Sequence, residues 1–516
     1  MSLVAPAESR TRMRAFGGAI WRGGMPERRF VALLALVAAA LYLWPIAGFS
    51  RNYDEGVYWQ SLRAMASGHP LFTSVFSSQP PLFLLSVYPF YMAFGQTIAA
   101  ARVGIALFAV MGVVAMYWLA SQVGGRWAGL IAAALLAVDL HYLHQAQTLQ
   151  AEGPAVAVAI LAVALAVAAS RRAGRWRMAL AALAGAALAL GILIKLLDAV
   201  ALVPIALYLS APFLRAFDGG VGRVRRPTAT KLRAGAQAAG RDLGLVVVGG
   251  AMGTILVLAP FAGSLSLVWD QAVAFHLAAI HTQPWPAEDN LRMVLTGFTL
   301  MGIPAALAVV IAWRRRDWRM APPLLWLLAT GAVLVRQVPL FDHHIAFIAP
   351  CLALMIGLTP AMLGPEIHQV TGRWLVLAAA ALTAAVFITG LAYGLLATRA
   401  AARPPNSATQ AQIDAIRSAT TPGEVVVSDD QYIAAAAGRS APPQLVDTSF
   451  VRASSGYLTA RQIEAILTRD NVRVIVMDSG RLAKVPGFGA WLHAHYRMVA
   501  DVGDGAALYI RLEAGR

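Results

Sequence analysis

The feature that most constrains this chain is a series of long apolar runs, which begins at Phe30 and continues to Thr398. Each run has 16 to 25 residues, and a helix of about 20 residues crosses the hydrocarbon core of a bilayer. Because hydrocarbon offers no partners for backbone N–H and C=O groups, a helix is the expected form of each run. Hydrophobic residues make up 59% of the chain and charged residues only 13%. The sequence therefore predicts a polytopic α-helical membrane protein.

The number of runs gives an expected count of about eleven transmembrane helices within residues 30–398. The runs lie at 30–49, 103–121, 127–143, 152–169, 178–194, 199–214, 243–263, 293–313, 320–335, 345–363 and 374–398. A further apolar stretch at 81–95 would form roughly 20 Å of helix, which is short of the ~30 Å hydrocarbon core. We expect this stretch to lie along the membrane surface or to dip into it.

The distribution of basic residues predicts the orientation. If residues 81–95 do not span, the arginine-rich loop 171–177, the segment 215–242 with seven Arg/Lys, and the loop 314–319 all fall in the cytoplasm with the basic N-terminus, residues 1–29. Short basic loops are typical of the cytoplasmic side. Basic residues in loops beside anionic membrane lipid account for the net charge of +16. No nucleic acid partner is therefore expected. The prediction is a multi-pass protein of the plasma membrane.

The composition changes after Arg399. Residues 399–408 are typical of a linker, and 409–516 predict a small α/β domain, which lies on the extracytoplasmic side after eleven spans. Strands are expected at 425–428, 444–447 and 472–478, helices at 410–418, 459–469 and 488–496, and a hairpin formed by 497–502 and 506–512.

Unusual polar residues collect at the outer ends of the spans and in the outer loops, of which 50–101 is the first. Because charged groups at membrane depth are costly and usually face a cavity or a partner, this collection predicts one extracytoplasmic active site. The single cysteine, Cys351, lies inside a run and predicts no disulfide framework. The polar residues are Asp54, Glu55, Gln79, Arg102, His141, His144, Glu152, Lys195, Asp198, His276, Asp342, His343 and His344.

Several of these residues form a recognisable set. The set comprises Asp54-Glu55 with Tyr58 after the first span, Pro80-Pro81-Leu82, Arg102, Glu152, Lys195 and Asp342-His343-His344. It resembles the C-type membrane glycosyltransferases (GT-C fold), particularly bacterial relatives of the dolichyl-phosphate-mannose protein mannosyltransferases and of the lipid A aminoarabinose transferase. The resemblance covers the membrane region in outline and extends to the small C-terminal domain.

The resemblance implies an enzyme that moves a hexosyl or pentosyl group from a polyprenyl-phosphate carrier to a hydroxyl on a protein, a lipid or a cell-wall glycan. Asp54 is then the expected general base, and Glu55 and Glu152 are further catalytic candidates. Such a transfer needs a base for the acceptor proton and donors of hydrogen bonds for the departing phosphate. The candidates for binding the donor phosphate or sugar are Arg102, Lys195, Gln79, Arg63, His343 and His344. Gln79 stands where the aminoarabinose transferase relatives usually carry lysine, which leaves the donor open.

Each candidate also has a structural interpretation. Asp54 and Glu55 could be a helix N-terminal pair favoured by the helix dipole, and Lys195 could pair with Asp198. Adjacent histidines on a helix point apart, so His343 and His344 are not expected to share a metal, and no cofactor is predicted; a divalent metal is the open alternative.

A transporter or flippase of lipid-linked glycans is the alternative function, although the sequence shows no repeated halves.

Overall fold

The computed structural model describes residues 27–211, 213, 229–280, 286–363, 370–501 and 505–512. Residues 1–26 of the predicted cytoplasmic N-terminus and 215–228 of the predicted basic loop 215–242 lie outside the described residues. The helices before residue 402 are α1 Glu27–Leu43, α2 Tyr53–Ala66, α3 Leu82–Ala93, α4 Ile98–Gly124, α5 Arg126–Val138, α6 Leu140–Gln147, α7 Glu152–Ser170, α8 Gly174–Ile194, α9 Leu202–Leu209, α10 Ala229–Leu258, α11 Leu265–Trp269, α12 Phe275–Ala279, α13 Ala287–Thr296, α14 Gly302–Arg315, α15 Ala321–Arg336, α16 Ala349–Gly357, α17 Thr359–Leu363 and α18 Val370–Ala401.

The apolar helices confirm a multi-pass membrane protein, but they do not confirm the count of eleven. By length and composition, 7 helical segments of the described chain could cross a membrane, or 8 if α5 and α6, which meet at a 63° bend, form one span. The predicted run 293–313 is divided between α13 and α14 by a turn. The run 199–214 starts in a 3₁₀ segment, Leu196–Ala201, and continues as the short α9.

The helices differ in how much of their surface is buried. Helix α7 and the segment Asp342–Leu363 are largely enclosed by other helices, whereas most of α10 and α18 is exposed. In a bilayer, the exposed apolar faces are suited to contact lipid. The enclosed segments therefore bring Glu152 and the neighbouring histidines into the interior of the helix bundle.

The C-terminal domain contains a four-stranded sheet with the order β1-β2-β4-β3. Strand β1 pairs with β2 in parallel, and the remaining pairs are antiparallel. The predicted hairpin is present as β3 and β4, although residues 502–504 of its connection are not described. The domain elements are α19 Ser407–Ala419, β1 Val426–Ser428, α20 Gln431–Ala436, α21 Phe450–Ser454, α22 Ala460–Arg469, β2 Val474–Met477, α23 Phe488–His495, β3 Tyr496–Asp501 and β4 Ala507–Arg511.

One predicted strand is wrong and two helices were not predicted. Residues 444–447 do not form a strand; a 3₁₀ turn covers Pro443–Leu445 instead. Two consecutive prolines at 442 and 443 supply no backbone N–H groups for a sheet ladder, which favours a turn. The additional helices are α20 and α21. The Asp430 side chain caps the first turn of α20 through Tyr432 N at 3.0 Å.

The C-terminal domain packs directly on α2, the helix in the loop after α1. The Gln60 amide donates to Arg439 O at 3.0 Å and accepts from Ala441 N at 3.1 Å. At Gly56, an added Cβ would lie 2.2 Å from Tyr432 N. Only glycine therefore allows α2 and α20 to approach through their backbones without displacement.

A second set of contacts with the domain precedes α2. Arg51 pairs with Asp430 at 2.8 Å and with Asp478. The Tyr53 hydroxyl accepts from Thr448 N at 2.9 Å. Charge pairs and hydrogen bonds thus fix both the start and the middle of α2 against the C-terminal domain.

Candidate active site

The helix α2 begins with the two acids that the sequence singles out. Its N-cap is Asn52, whose side-chain oxygen accepts from Asp54 N at 2.9 Å and Glu55 N at 3.3 Å. This cap satisfies two of the free N–H groups at the helix start. The carboxyl groups have different surroundings: the Asp54 side chain is 39% exposed, whereas Glu55 is fully buried.

Glu55 forms a two-point ion pair with Arg102 of α4. The Arg102 Nε lies 2.9 Å from Glu55 Oε1, and Nη2 lies 2.7 Å from Oε2. Arg102 Nη1 donates to the carbonyls of Ile46 at 3.2 Å and Gly48 at 2.8 Å, and Nη2 is also 3.4 Å from the Tyr432 hydroxyl. Every Arg102 nitrogen thus has a protein partner. In this arrangement Arg102 has no free N–H group with which to bind the donor phosphate, as the sequence predicted it would.

Glu152 is the centre of a second, separate cluster at the start of α7. Its Oε1 lies 2.7 Å from Lys195 Nζ, 3.6 Å from His343 Nε2 and 3.8 Å from His344 Nε2. His343 also reaches α2, because its Nδ1 lies 3.7 Å from Asp54 Oδ2. The structure therefore brings Asp54, Glu152, Lys195 and both histidines together.

The elements that position this cluster are breaks in the helices. Lys195 has an extended backbone between the end of α8 and the 3₁₀ segment that follows it. The histidines start the 3₁₀ turn Asp342–Ile348. Side chains at such breaks can point into the interior of a bundle without lying on a regular helix face. Polar residues are tolerated there because they have one another as partners.

The two histidines do not point apart, contrary to the sequence prediction. Their ring centroids are 4.4 Å apart and both rings face Glu152. The segment is not a regular α-helix: Phe341 before it is extended. The Phe341 N–H donates to His344 Nδ1 at 3.1 Å, and this bond turns the ring back toward the cluster.

The spacing of Glu152, His343 and His344 would permit a metal ion, since one ligand atom of each lies within 4.8 Å of the others. Their chemistry argues for a cluster of charged and polar side chains without a metal instead. Because His344 Nδ1 accepts a backbone N–H, the proton of the neutral ring is assigned to Nε2, the atom that faces Glu152. A protonated nitrogen has no lone pair for a metal, and the Lys195 ammonium already lies beside the same carboxylate oxygen.

The Glu152 oxygen in this cluster retains capacity for another donor. Oε1 is buried, and the Lys195 Nζ donor lies 2.7 Å from it. A carboxylate oxygen can accept two hydrogen bonds. Glu152 thus compensates the charge of Lys195, and its oxygen can still accept a hydrogen bond from a hydroxyl group.

Asp54 is the carboxyl group of the cluster that lies on a loop helix rather than in a span. Partial burial raises the pKa of the Asp54 carboxyl; His343 lowers it and the Glu152 charge raises it further. The net direction is upward. A carboxylate with a raised pKa is a stronger base and takes a proton more readily at neutral pH.

The predicted residues Gln79 and Arg63 have different surroundings. Gln79 is buried and its side chain interacts with the Tyr58 hydroxyl, one helical turn after Asp54. Arg63 instead contacts the C-terminal domain, where it donates to Gly438 O at 3.1 Å and to Ser440 Oγ at 3.2 Å. Gln79 therefore stays beside the candidate site, while Arg63 is used in the domain contact.

The C-terminal domain contributes residues to this region that the sequence did not indicate. Asp447 Oδ1 lies 3.4 Å from the Tyr53 hydroxyl, and the Asp447 charge acts on Asp54. Arg481 lies 3.9 Å over the Tyr53 ring. Some 400 positions separate these residues from α2, and no local pattern marks them as its neighbours.

Comparison with known proteins finds similarity in one part of the sequence and in the overall fold. A family model described as dolichyl-phosphate-mannose-protein mannosyltransferase matches residues 78–216. No curated protein sequence matches the chain significantly. Among solved structures, ArnT from Cupriavidus metallidurans bound to undecaprenyl phosphate is 15% identical with a TM-score of 0.62, and the match covers 94% of this chain and 98% of that one.

Two other solved structures are similar. ArnT from the same organism in the apo state is 15% identical with a TM-score of 0.60, over 93% of this chain and 98% of that one. The archaeal oligosaccharyltransferase AglB from Archaeoglobus fulgidus, in complex with an inhibitory peptide and a dolichol-phosphate, is 14% identical with a TM-score of 0.54, over 94% and 74% of the two chains. Likeness at such identity establishes the fold: the protein is a multi-pass membrane protein with the GT-C fold.

Proposed function

We propose that the protein transfers a sugar from a polyprenyl-phosphate carrier to a hydroxyl acceptor. The observation that carries the proposal is the meeting of the half-exposed Asp54 with the buried Glu152–Lys195 pair through His343. A base and a group of cationic or N–H donors thus lie side by side, as phosphate displacement requires. The similar structures with undecaprenyl phosphate and dolichol-phosphate support a lipid phosphate as the leaving group.

In this proposal Asp54 is the general base. The acceptor oxygen attacks the anomeric carbon and gives its proton to an Asp54 oxygen. The bond between that carbon and the phosphate oxygen breaks, and the electron pair leaves with the lipid phosphate. Because Asp54 is partly exposed, it can release the proton to solvent before the next turnover.

The remaining members of the cluster act on the departing phosphate. Lys195, His343 and His344 can present N–H groups to it, and Glu152 holds Lys195 and His343 in place. Gln79 can add a neutral hydrogen bond. Glu55 and Arg102 position α2 and do not touch the reacting atoms, because they are occupied with each other and with the backbone.

We also infer that this site and the C-terminal domain face the extracytoplasmic side. Nucleotide sugars are made in the cytosol, so a carrier lipid is the suitable donor for an outer site. The arginine-rich loops 171–177 and 314–319 support this orientation under the positive-inside rule. The acceptor on that side is a protein, a lipid or a cell-wall glycan.

The function is tested with the purified protein in nanodiscs, supplied with synthetic polyprenyl-phosphate sugars and an extract of envelope glycolipids and proteins. We expect release of polyprenyl phosphate that depends on the acceptor extract, together with a new glycosylated product identified by mass spectrometry. Movement of the intact labelled lipid between leaflets, with no cleavage of the sugar–phosphate bond, would instead establish a transporter.

The pH dependence of transfer provides a second test. A general base works only when it is deprotonated, so kcat/KM should fall as the pH drops through the raised pKa of Asp54. The acid limb should therefore lie above the ordinary aspartate value of about 3.9. Binding of the carrier, measured over the same pH range, separates this effect from protonation of the histidines. An acid limb at or below the ordinary aspartate value contradicts the assignment.

A further inference from the structure

The C-terminal domain contains a buried arginine that the site described above does not use. Arg452 in α21 is only 7% exposed. Its Nη1 donates to the carbonyls of Gln444 at 2.8 Å and Asp447 at 2.6 Å. Its Nε is buried and has no hydrogen-bond partner. The edge formed by Nε and Nη2 thus carries no hydrogen bond to the described part of the chain.

The charge of Arg452 also lacks a paired carboxylate. Within the described ranges no ion pair involves Arg452. The Asp447 backbone carbonyl accepts from it, and the Asp447 carboxylate, whose Oδ1 accepts from Ser449 N at 2.8 Å, acts on Arg452 through its charge without a direct contact. Burial lowers the pKa of Arg452 to about 10, so the side chain remains charged at neutral pH. A buried charge without an ionic partner is unfavourable, and a bound anion would relieve that cost.

The position of Arg452 links it to the candidate active site. Its guanidinium lies 3.8 Å over the ring of Phe76, which is three residues before Gln79. The backbone around Phe76 is held by Gln271, which accepts from Ser77 N at 3.0 Å and donates to Phe72 O at 2.8 Å. The cation–π contact offsets part of the burial cost, and the Gln271 bonds fix the segment that carries Gln79 beneath the arginine.

We propose that Arg452 is a further substrate-binding residue, contributed by the C-terminal domain, and that its ligand is the phosphate group of the lipid carrier. This inference rests on the proposed function. The Nε–Nη2 edge of a guanidinium matches two phosphate oxygens. Gln79, three residues after Phe76, can offer hydrogen bonds but no charge, so Arg452 supplies a cation in addition to Lys195.

The test measures binding of two lipids to the full-length protein in nanodiscs: undecaprenyl phosphate, and undecaprenol as its counterpart without phosphate. Arg452→Gln should lower the affinity for undecaprenyl phosphate by roughly 10- to 100-fold, the range of charged hydrogen bonds, and leave that for undecaprenol unchanged. Arg452→Lys keeps the charge but loses the two-point geometry, so a smaller loss of about 3- to 10-fold is expected.

The matched control is Lys484→Gln, because Lys484 is also a cation over an aromatic ring of this domain, at 4.3 Å from Phe450, but is exposed. It should bind both lipids as the unmodified protein does. Unchanged affinity for undecaprenyl phosphate in Arg452→Gln, or equal loss for both lipids, overturns the role of Arg452. If Arg452→Gln does not fold, full affinity in Arg452→Lys overturns it. If the unmodified protein does not prefer undecaprenyl phosphate to undecaprenol, the proposed donor class itself fails.

Discussion

Replacing Asp54 with asparagine should lower kcat for sugar transfer by roughly 10²- to 10⁴-fold, the usual contribution of a general base. Asparagine has nearly the same size, and the cap from Asn52 reaches the backbone N–H of residue 54 rather than its side chain. The variant should therefore keep α2 intact. It loses the ability to accept the proton of the attacking hydroxyl.

The measurement is single-turnover transfer with saturating carrier, accompanied by the carrier affinity. Asp54→Asn should bind the carrier normally while transfer is slow. Asp414→Asn is the matched control, since Asp414 is an exposed aspartate of α19; its rate should not change. Near-normal transfer in Asp54→Asn would show that another residue is the general base, and Glu152 would be the next residue to test.

Arg102→Gln is expected to destabilise the protein by about 3–5 kcal/mol, because removal of one member of a buried ion pair leaves the other charge without compensation. Glu55 is fully buried and would lose both charged hydrogen bonds. The carbonyls of Ile46 and Gly48 would lose their donor as well. Thermal unfolding of the detergent-solubilised protein measures the effect.

The control for this variant is Arg417→Gln. Arg417 forms an exposed pair with Asp414 at 3.5 Å, and such pairs contribute about 0–1 kcal/mol. A cycle that adds Glu55→Gln should show strong coupling with Arg102, because the two side chains are in contact. If Arg102→Gln keeps full stability and instead loses carrier affinity, the phosphate contact predicted from the sequence is correct.

Local signals in the sequence were sufficient to predict α2 and its acids. The spacing from Asp54 to Tyr58 indicates a helix, to which the structure adds the N-cap Asn52. The same signals could not distinguish the roles of Asp54 and Glu55. Which of the two acids pairs with an arginine depends on the packing of α4, 47 positions away. The sequence also does not show whether a buried arginine pairs with a carboxylate or with a phosphate.

Run length was a weaker guide to the spans. A run of apolar residues does not reveal whether the helix within it is continuous, and the turn between α13 and α14 interrupts a run without a charged residue. The convergence of His343 and His344 on Glu152 was likewise hidden, because both lie in a 3₁₀ turn and not in the regular α-helix assumed for them.

The close approach of Gly56 to Tyr432 has a consequence for the order of biosynthesis. The ribosome makes α2 before α20, so the face of α2 around Gly56 stays uncovered while more than 370 residues are added. A chain released after α18 would carry Asp54, Glu152 and Lys195 but not the partners of Arg51, Gln60 and Tyr53. The helix that bears Asp54 therefore acquires its contacts with the C-terminal domain only after all the described membrane helices have been made.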